Sequence, residues 1–144
     1  MNQNLAEAER WLAQAEQDIK SAEWDVKGGF HESACFKTQQ AAEKGLKAVS
    51  LSLGKSGATS HSTFALAREL AKTDRSFENV SSACRELDKL YIPTRYPDAL
   101  PSGIPHDYFT KDDAEKAIKY CKQIINAASE AIAKKEKEAL GKKK

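Results

Sequence analysis

Proline is missing from most of this chain. Only four of the 144 residues are proline, and all four (93, 97, 101 and 105) fall in one window. Proline removes a backbone donor and pushes the residue before it out of the helical region. The flanks are therefore free to form long helices, and the window is expected to interrupt them. Cysteine is also scarce: Cys35, Cys84 and Cys121 are the whole set, and none has a second cysteine or a histidine at zinc-ligand spacing. No metal site is predicted. No apolar run approaches the roughly 20 residues of a membrane span. The start, Met1 to Glu7, lacks the basic and apolar stretches of a signal peptide. Reduced thiols and a cytoplasmic location are the expectation. No segment alternates with period two, so no sheet is expected. Gly54-Lys55-Ser56 ends like a phosphate loop, but Val49 stands where the first glycine belongs and a helix precedes it in place of a strand.

Single-signed charge is lacking too. The net charge is +2, yet Lys134 to Lys144 holds six lysines and two glutamates. Residues 1–133 keep 17 basic and 19 acidic side chains, a net of −2. That body gives no strong nucleic-acid signal, and the tail reads as a solubilising helix end. The sequence divides into a domain over 1–133 and a basic, fraying tail over 134–144.

What is present is helical periodicity. Leu5, Ala8, Leu12, Ala15, Ile19, Ala22 and Val26 step by threes and fours until Gly28-Gly29. A second helix, Glu32 to Leu53, carries small residues on its inner face, including Ala34, Cys35, Ala41, Ala42, Gly45 and Ala48. Such a face predicts a central helix or a subunit contact; Gly54 and Gly57 end it. Ser62 to Ala71 reads as a short helix capped by Ser60 or Ser62, and Ser76 to Leu90 as another. Thr110 with Asp113 starts the last helix, whose apolar positions run from Ala114 to Ile132 before it frays into lysines. Three long and two shorter helices make an all-α, up-and-down antiparallel bundle.

The connection from about Ile92 to Phe109 is longer than a bundle needs. It holds Arg95, Tyr96, Pro97, Asp98, His106 and Tyr108. The guanidinium fork of Arg95 suits phosphate or carboxylate, and a salt bridge with Asp98 would fix the turn at Pro97. Tyr96 and Tyr108 are suited to stack on a base or to plug the loop onto the bundle. Lys37, Lys44 and Lys47 share roughly one face of the second helix. His61 stands at a helix entrance that favours anions. His31, after the glycine pair, reads as local, and His106 as a surface residue.

Several blocks occur in a telling order. Trp11-Leu12, Ala15, Asp18 and Ala22 come first, then Ala34-Cys35-Phe36 and Gln39-Gln40-Ala41-Ala42-Glu43-Lys44 with Leu46-Lys47-Ala48. His61-Ser62 follows, then Leu90-Tyr91-Ile92-Pro93-Thr94-Arg95-Tyr96-Pro97-Asp98. Over about residues 5–133 the chain resembles the HEPN family, in particular its small stand-alone prokaryotic members and the C-terminal domain of sacsin. The resemblance implies a helical bundle, commonly homodimeric. It also implies one of two roles. Ribonucleases and toxins of the family carry arginine, four to six residues, then histidine; other members bind nucleotides or partners, often a minimal nucleotidyltransferase. After Arg95 that histidine window holds Leu100, Pro101 and Ser102, and His106 is too distant. RNA cleavage without metal needs an acid–base group near the 2′-hydroxyl, so no catalytic residue is assigned. The leading reading is a non-catalytic homodimer binding ATP, GTP or a similar anion through Arg95, Lys37, Lys44, Lys47 and His61, with Tyr96 against the base. The alternative is a toxin–antitoxin-type partner of a nucleotidyltransferase, using the small-residue face. A third is a ribonuclease pairing Arg95 with His106 across a dimer.

Overall fold

The computed structural model describes residues 3–55 and 60–142, so Ser56 and Gly57 lie outside the described residues. Six α-helices follow in order: α1 Gln3–Gly28, α2 His31–Ser52, α3 Thr63–Ala71, α4 Ser81–Asp88, α5 Pro105–Tyr108 and α6 Lys111–Lys142. Two 3-10 turns, Arg75–Val80 and Pro97–Ala99, complete the set. No strand occurs among the described residues, as the missing alternation predicts.

The α1 stripe buries Leu5, Ala8, Ala15, Ile19 and Ala22, with Leu12 and Val26 packed at its margin. The helix closes in a Schellman motif. Phe30 N–H donates to Asp25 O at 2.9 Å and Gly29 N–H to Val26 O at 3.1 Å, with Gly29 at φ +82°. The end of α2 repeats the device: Lys55 N–H donates to Ser50 O, Gly54 N–H to Leu51 O, and Gly54 sits at φ +77°.

The small residues of α2 are spent inside the molecule. Ala34, Cys35, Ala41, Ala42 and Ala48 are fully buried between α1 and α6. Gly45 lets α6 approach closely: a Cβ there would lie 2.5 Å from Ile125 Cδ1, so that side chain would have to shift. Of the two expectations for this face, the central position is the one observed. Cys35, Cys84 and Cys121 are free and buried, and burial pushes each thiol up to about 12.

The predicted helix over 76–90 is divided. Arg75–Val80 winds as a 3-10 turn, capped by the Asp74 carboxylate accepting from Ser76 N–H, before α4 begins. Residues three apart eclipse in that geometry, so Phe77 and Val80 still point inward together. Asp88 then ties two elements. Its carboxylate accepts from Ser62 Oγ (2.8 Å), Thr63 Oγ1 (2.7 Å), Thr63 N–H (2.8 Å) and Phe64 N–H (3.1 Å) at the start of α3. Ser62 is the cap of that helix, accepting from Ala65 N–H at 3.0 Å.

The proline window is not wholly free of helix. Pro97 and Pro105 each open a short helical turn, where the absent N–H costs nothing and the fixed φ is already suitable. Thr110 and Asp113 cap α6 reciprocally: Thr110 N–H donates to Asp113 Oδ2 at 2.9 Å, and Asp113 N–H to Thr110 Oγ1 at 3.1 Å. The helix continues to Lys142 where the sequence reading has it fraying; lysine, glutamate and alanine favour helix, and Lys135 meets Glu138 at 3.5 Å. No helix among the described residues is long and apolar enough to cross a membrane.

Candidate functional site

After α4 the chain turns tightly, with Tyr91 N–H donating to Asp88 O and Arg95 N–H to Ile92 O. Thr94 is buried and its hydroxyl donates to Leu90 O at 2.5 Å, pinning the next residue in place. That next residue is Arg95. Its Nε–H donates to Tyr91 O at 2.9 Å, and its Cζ lies 4.5 Å from the centre of the Tyr91 ring, 4.6 Å from Phe36 and 4.8 Å from Tyr96. A guanidinium over a ring face is attracted by the ring quadrupole, and the flat cation packs well there. Three rings from two parts of the chain thus hold one cation. Arg95 meets no carboxylate among the described residues, and Tyr91 O is the one hydrogen-bond acceptor its side chain reaches there. The expected bridge to Asp98 does not form: the Pro97-led turn leaves Asp98 exposed.

A polar chain extends from this cluster along α2. His61 stacks on Tyr91, with centroids 5.4 Å apart and planes at 17°. Its Nδ1 lies 3.2 Å from Glu43 Oε1, while Glu43 Oε2 accepts from Lys47 Nζ at 3.0 Å. Lys47 in turn stands 6.0 Å from the centre of the Trp11 ring. The buried Gln39 donates to His61 O at 2.8 Å and fixes the segment before α3. Glu43 is 6 % exposed, so its charge depends on these two partners.

The structure thus gathers Arg95, Tyr96, His61 and Lys47, and sends the other two lysines elsewhere. Lys37 pairs with Asp25 at 2.8 Å and donates to Ser21 Oγ at 2.9 Å, and Lys44 pairs with Asp18 at 2.6 Å, bracing α2 against α1. Shared helical face did not mean shared purpose, because α1 supplies carboxylates along only part of that face. His106 lies at the surface, as expected, and has a partner there: its Nδ1 is 2.8 Å from Glu32 Oε1, one helical turn before Phe36 on α2. Hydrogen bonding to Glu32, then its charge, raises the His106 pKa above the ordinary 6.5. Tyr108 hydroxyl reaches Ser102 Oγ at 3.3 Å. His31 Nδ1 is buried with no hydrogen-bond partner among the described residues. Sequence reasoning counted Phe36, Tyr91 and Glu43 among the residues of the resemblance but not among those of the site. Glu43 was detectable as an acid one turn from the core residues Leu46 and Gln39; the two rings carried no signal of their own.

The HEPN domain model matches residues 8–132. The fold is similar to TT1696 from Thermus thermophilus, at 37% identity and a TM-score of 0.82, covering 86% of this chain and 97% of that one. ST0689, described as an archaeal HEPN homologue, is 34% identical with a TM-score of 0.73, over 87% and 97% of the two chains. A HEPN domain protein of Thermotoga maritima, TM0613, is 31% identical with a TM-score of 0.69, over 86% and 98%. No curated protein matches the chain.

Proposed function

The chain belongs to the HEPN domain family, and on that premise we propose that it is a non-catalytic member that binds a nucleotide or similar anion as a homodimer. The observation that carries this is Arg95, a cation braced by three rings and matched to no carboxylate among the described residues. A structural arginine is ordinarily spent on an acid; this one is held flat and left with its charge unpaired. Phosphate is the fitting counter-charge. Tyr96, 47 % exposed beside the guanidinium, is placed to stack on a base. Lys47 and His61 share Glu43, so the cluster keeps a positive balance with Arg95 included. Lys37 and Lys44 would have to leave Asp25 and Asp18 to take part, which makes them secondary. The absence of a histidine at positions 100–102, where four to six residues would separate it from Arg95, supports a binding role over RNA cleavage. A partner such as a nucleotidyltransferase would need a surface other than the small-residue face of α2, which the core consumes.

Calorimetric titration with ATP and GTP at low and moderate salt tests the reading, alongside sedimentation for the dimer. Saturable binding is expected, at a fixed ratio per dimer, weaker at higher salt and at least about tenfold weaker in Arg95→Ala. A dissociation constant unchanged by Arg95→Ala moves the site elsewhere, and no binding of either nucleotide overturns the reading.

A further inference from the structure

Away from Arg95, the end of α1 and the first half of α6 enclose a groove of about 990 Å³. Val26 and Ile118 supply its apolar lining, and His31 contributes an imidazole. On α6 it runs from Lys111 to Asn126, which is about 24 Å at the rise of an α-helix. We propose that this groove docks an amphipathic helix with acidic flanks, presented by a different protein.

The argument has three parts. Charge comes first. Lys27, Lys111, Lys119 and Lys122 line the groove against Glu23 and Glu115, an excess of lysine in a body whose net charge over 1–133 is −2. Lys122 pairs with Glu23 at 3.3 Å and Lys111 with Glu115 at 3.9 Å. Lys27 and Lys119 meet no carboxylate among the described residues and remain for an incoming acid.

Anchors come second. Trp24 is 72 % exposed, and the ammonium of Lys27, which lines the groove, lies 5.7 Å from the centre of its ring. Phe30 is 56 % exposed, and its ring lies against Gly28, where a Cβ would come within 3.0 Å of it. Large aromatics standing out beside an apolar groove are the residues that dominate binding energy when covered.

Shape comes third. α1, α2 and α6 already pack against one another pairwise, so a helix laid along the α1–α6 groove becomes the fourth member of a bundle, with its apolar face on Val26 and Ile118. A second copy fits less well, because an isologous two-fold contact sets this lysine-rich patch against the same patch of the partner. A nucleic acid would find lysines, but also two rim carboxylates and an apolar floor.

The test uses the full chain and three fluorescein-labelled probes read by anisotropy. They are an amphipathic peptide of leucine and phenylalanine at helical spacing with glutamate flanks, the same peptide with lysine flanks, and a single-stranded RNA. The glutamate-flanked peptide is expected to bind and the lysine-flanked one to bind at least about tenfold more weakly. Trp24→Ala should weaken binding about tenfold or more, and Lys27→Glu with Lys119→Glu should invert the preference between flanks. All three positions are exposed, and an unchanged melting curve verifies the fold. The proposal is overturned if the acidic peptide does not bind, if both flanks bind alike, or if the substitutions change nothing. RNA binding in place of the peptide overturns it as well, as does a dimer that becomes monomeric in Trp24→Ala, which would assign the groove to a second copy. Nucleotide titration is independent of these outcomes, so either reading can fail alone.

Discussion

Asp88, the last residue of α4, lies against the start of α3, and Arg95 follows it seven residues along the chain. They are held in opposite ways. The Asp88 carboxylate accepts four hydrogen bonds, two from backbone and two from hydroxyls, across 24 to 26 residues of sequence. Its acceptor capacity is consumed. Among the described residues the Arg95 side chain makes one hydrogen bond, to a carbonyl in its own turn, and owes its position to the faces of Phe36, Tyr91 and Tyr96. Hydrogen-bonding a charge uses up its directional valence, whereas stacking orients the group and leaves its edge available. A bundle can thus contain one charge that builds the fold and another that the fold only displays.

Substitution can break that comparison. Asp88→Ala should cost the most, about 3 kcal/mol, because it removes the acceptor of two N–H groups in the first turn of α3 and leaves buried donors unsatisfied. In a chain of this size that lowers Tm by about 10 °C in a thermal melt. A fall of a degree or two would mean that water substitutes for the carboxylate and that the two charges differ less than the geometry implies. Arg95→Ala should cost about 1 kcal/mol of stability, the value of lost stacking, while removing most anion affinity. Arg95→Lys sharpens the point: charge is kept and the flat stack is lost, so affinity should fall between wild type and alanine at nearly unchanged Tm. A melting loss equal to that of Asp88→Ala would erase the distinction.

The smallest effect concerns the clasp between the loop and α2. The Glu32 hydrogen bond and charge raise the folded His106 pKa above the unfolded value near 6.5. A raised pKa stabilises the folded state fully below the unfolded value, and the contribution is lost as pH climbs through the folded one. Proton NMR of the imidazole should give a midpoint above 6.5 that returns toward it in Glu32→Gln. An unshifted midpoint would dissolve the clasp.

Much of the fold was legible because its signals are local. The α1 stripe, the glycines that close α1 and α2, the Ser62 cap and the Thr110–Asp113 box each lie within one or two turns, so spacing alone predicts them. The site was half legible. Arg95 and His61 drew notice by residue type, and their common partner, the Tyr91 ring, did not. Long-range pairing, which spacing does not reveal, sets the partners of the other candidate residues. Lys37 and Lys44 are drawn off by carboxylates on α1, and His106 by Glu32 from 74 positions away. The single helix expected over 76–90 is divided by a local choice of winding that apolar spacing leaves open, since Phe77 and Val80 are buried in the 3-10 turn as well.

The three thiols described above carry a practical consequence. Each is buried, and each holds its proton far above neutral pH, so the reactive thiolate is scarce and out of reach of a maleimide. The native chain should therefore be silent to such reagents. One cysteine introduced at Trp24 or Tyr96 would carry a dye or spin label at that position alone, with no need to remove the originals, and would report separately on the groove or on the arginine cluster.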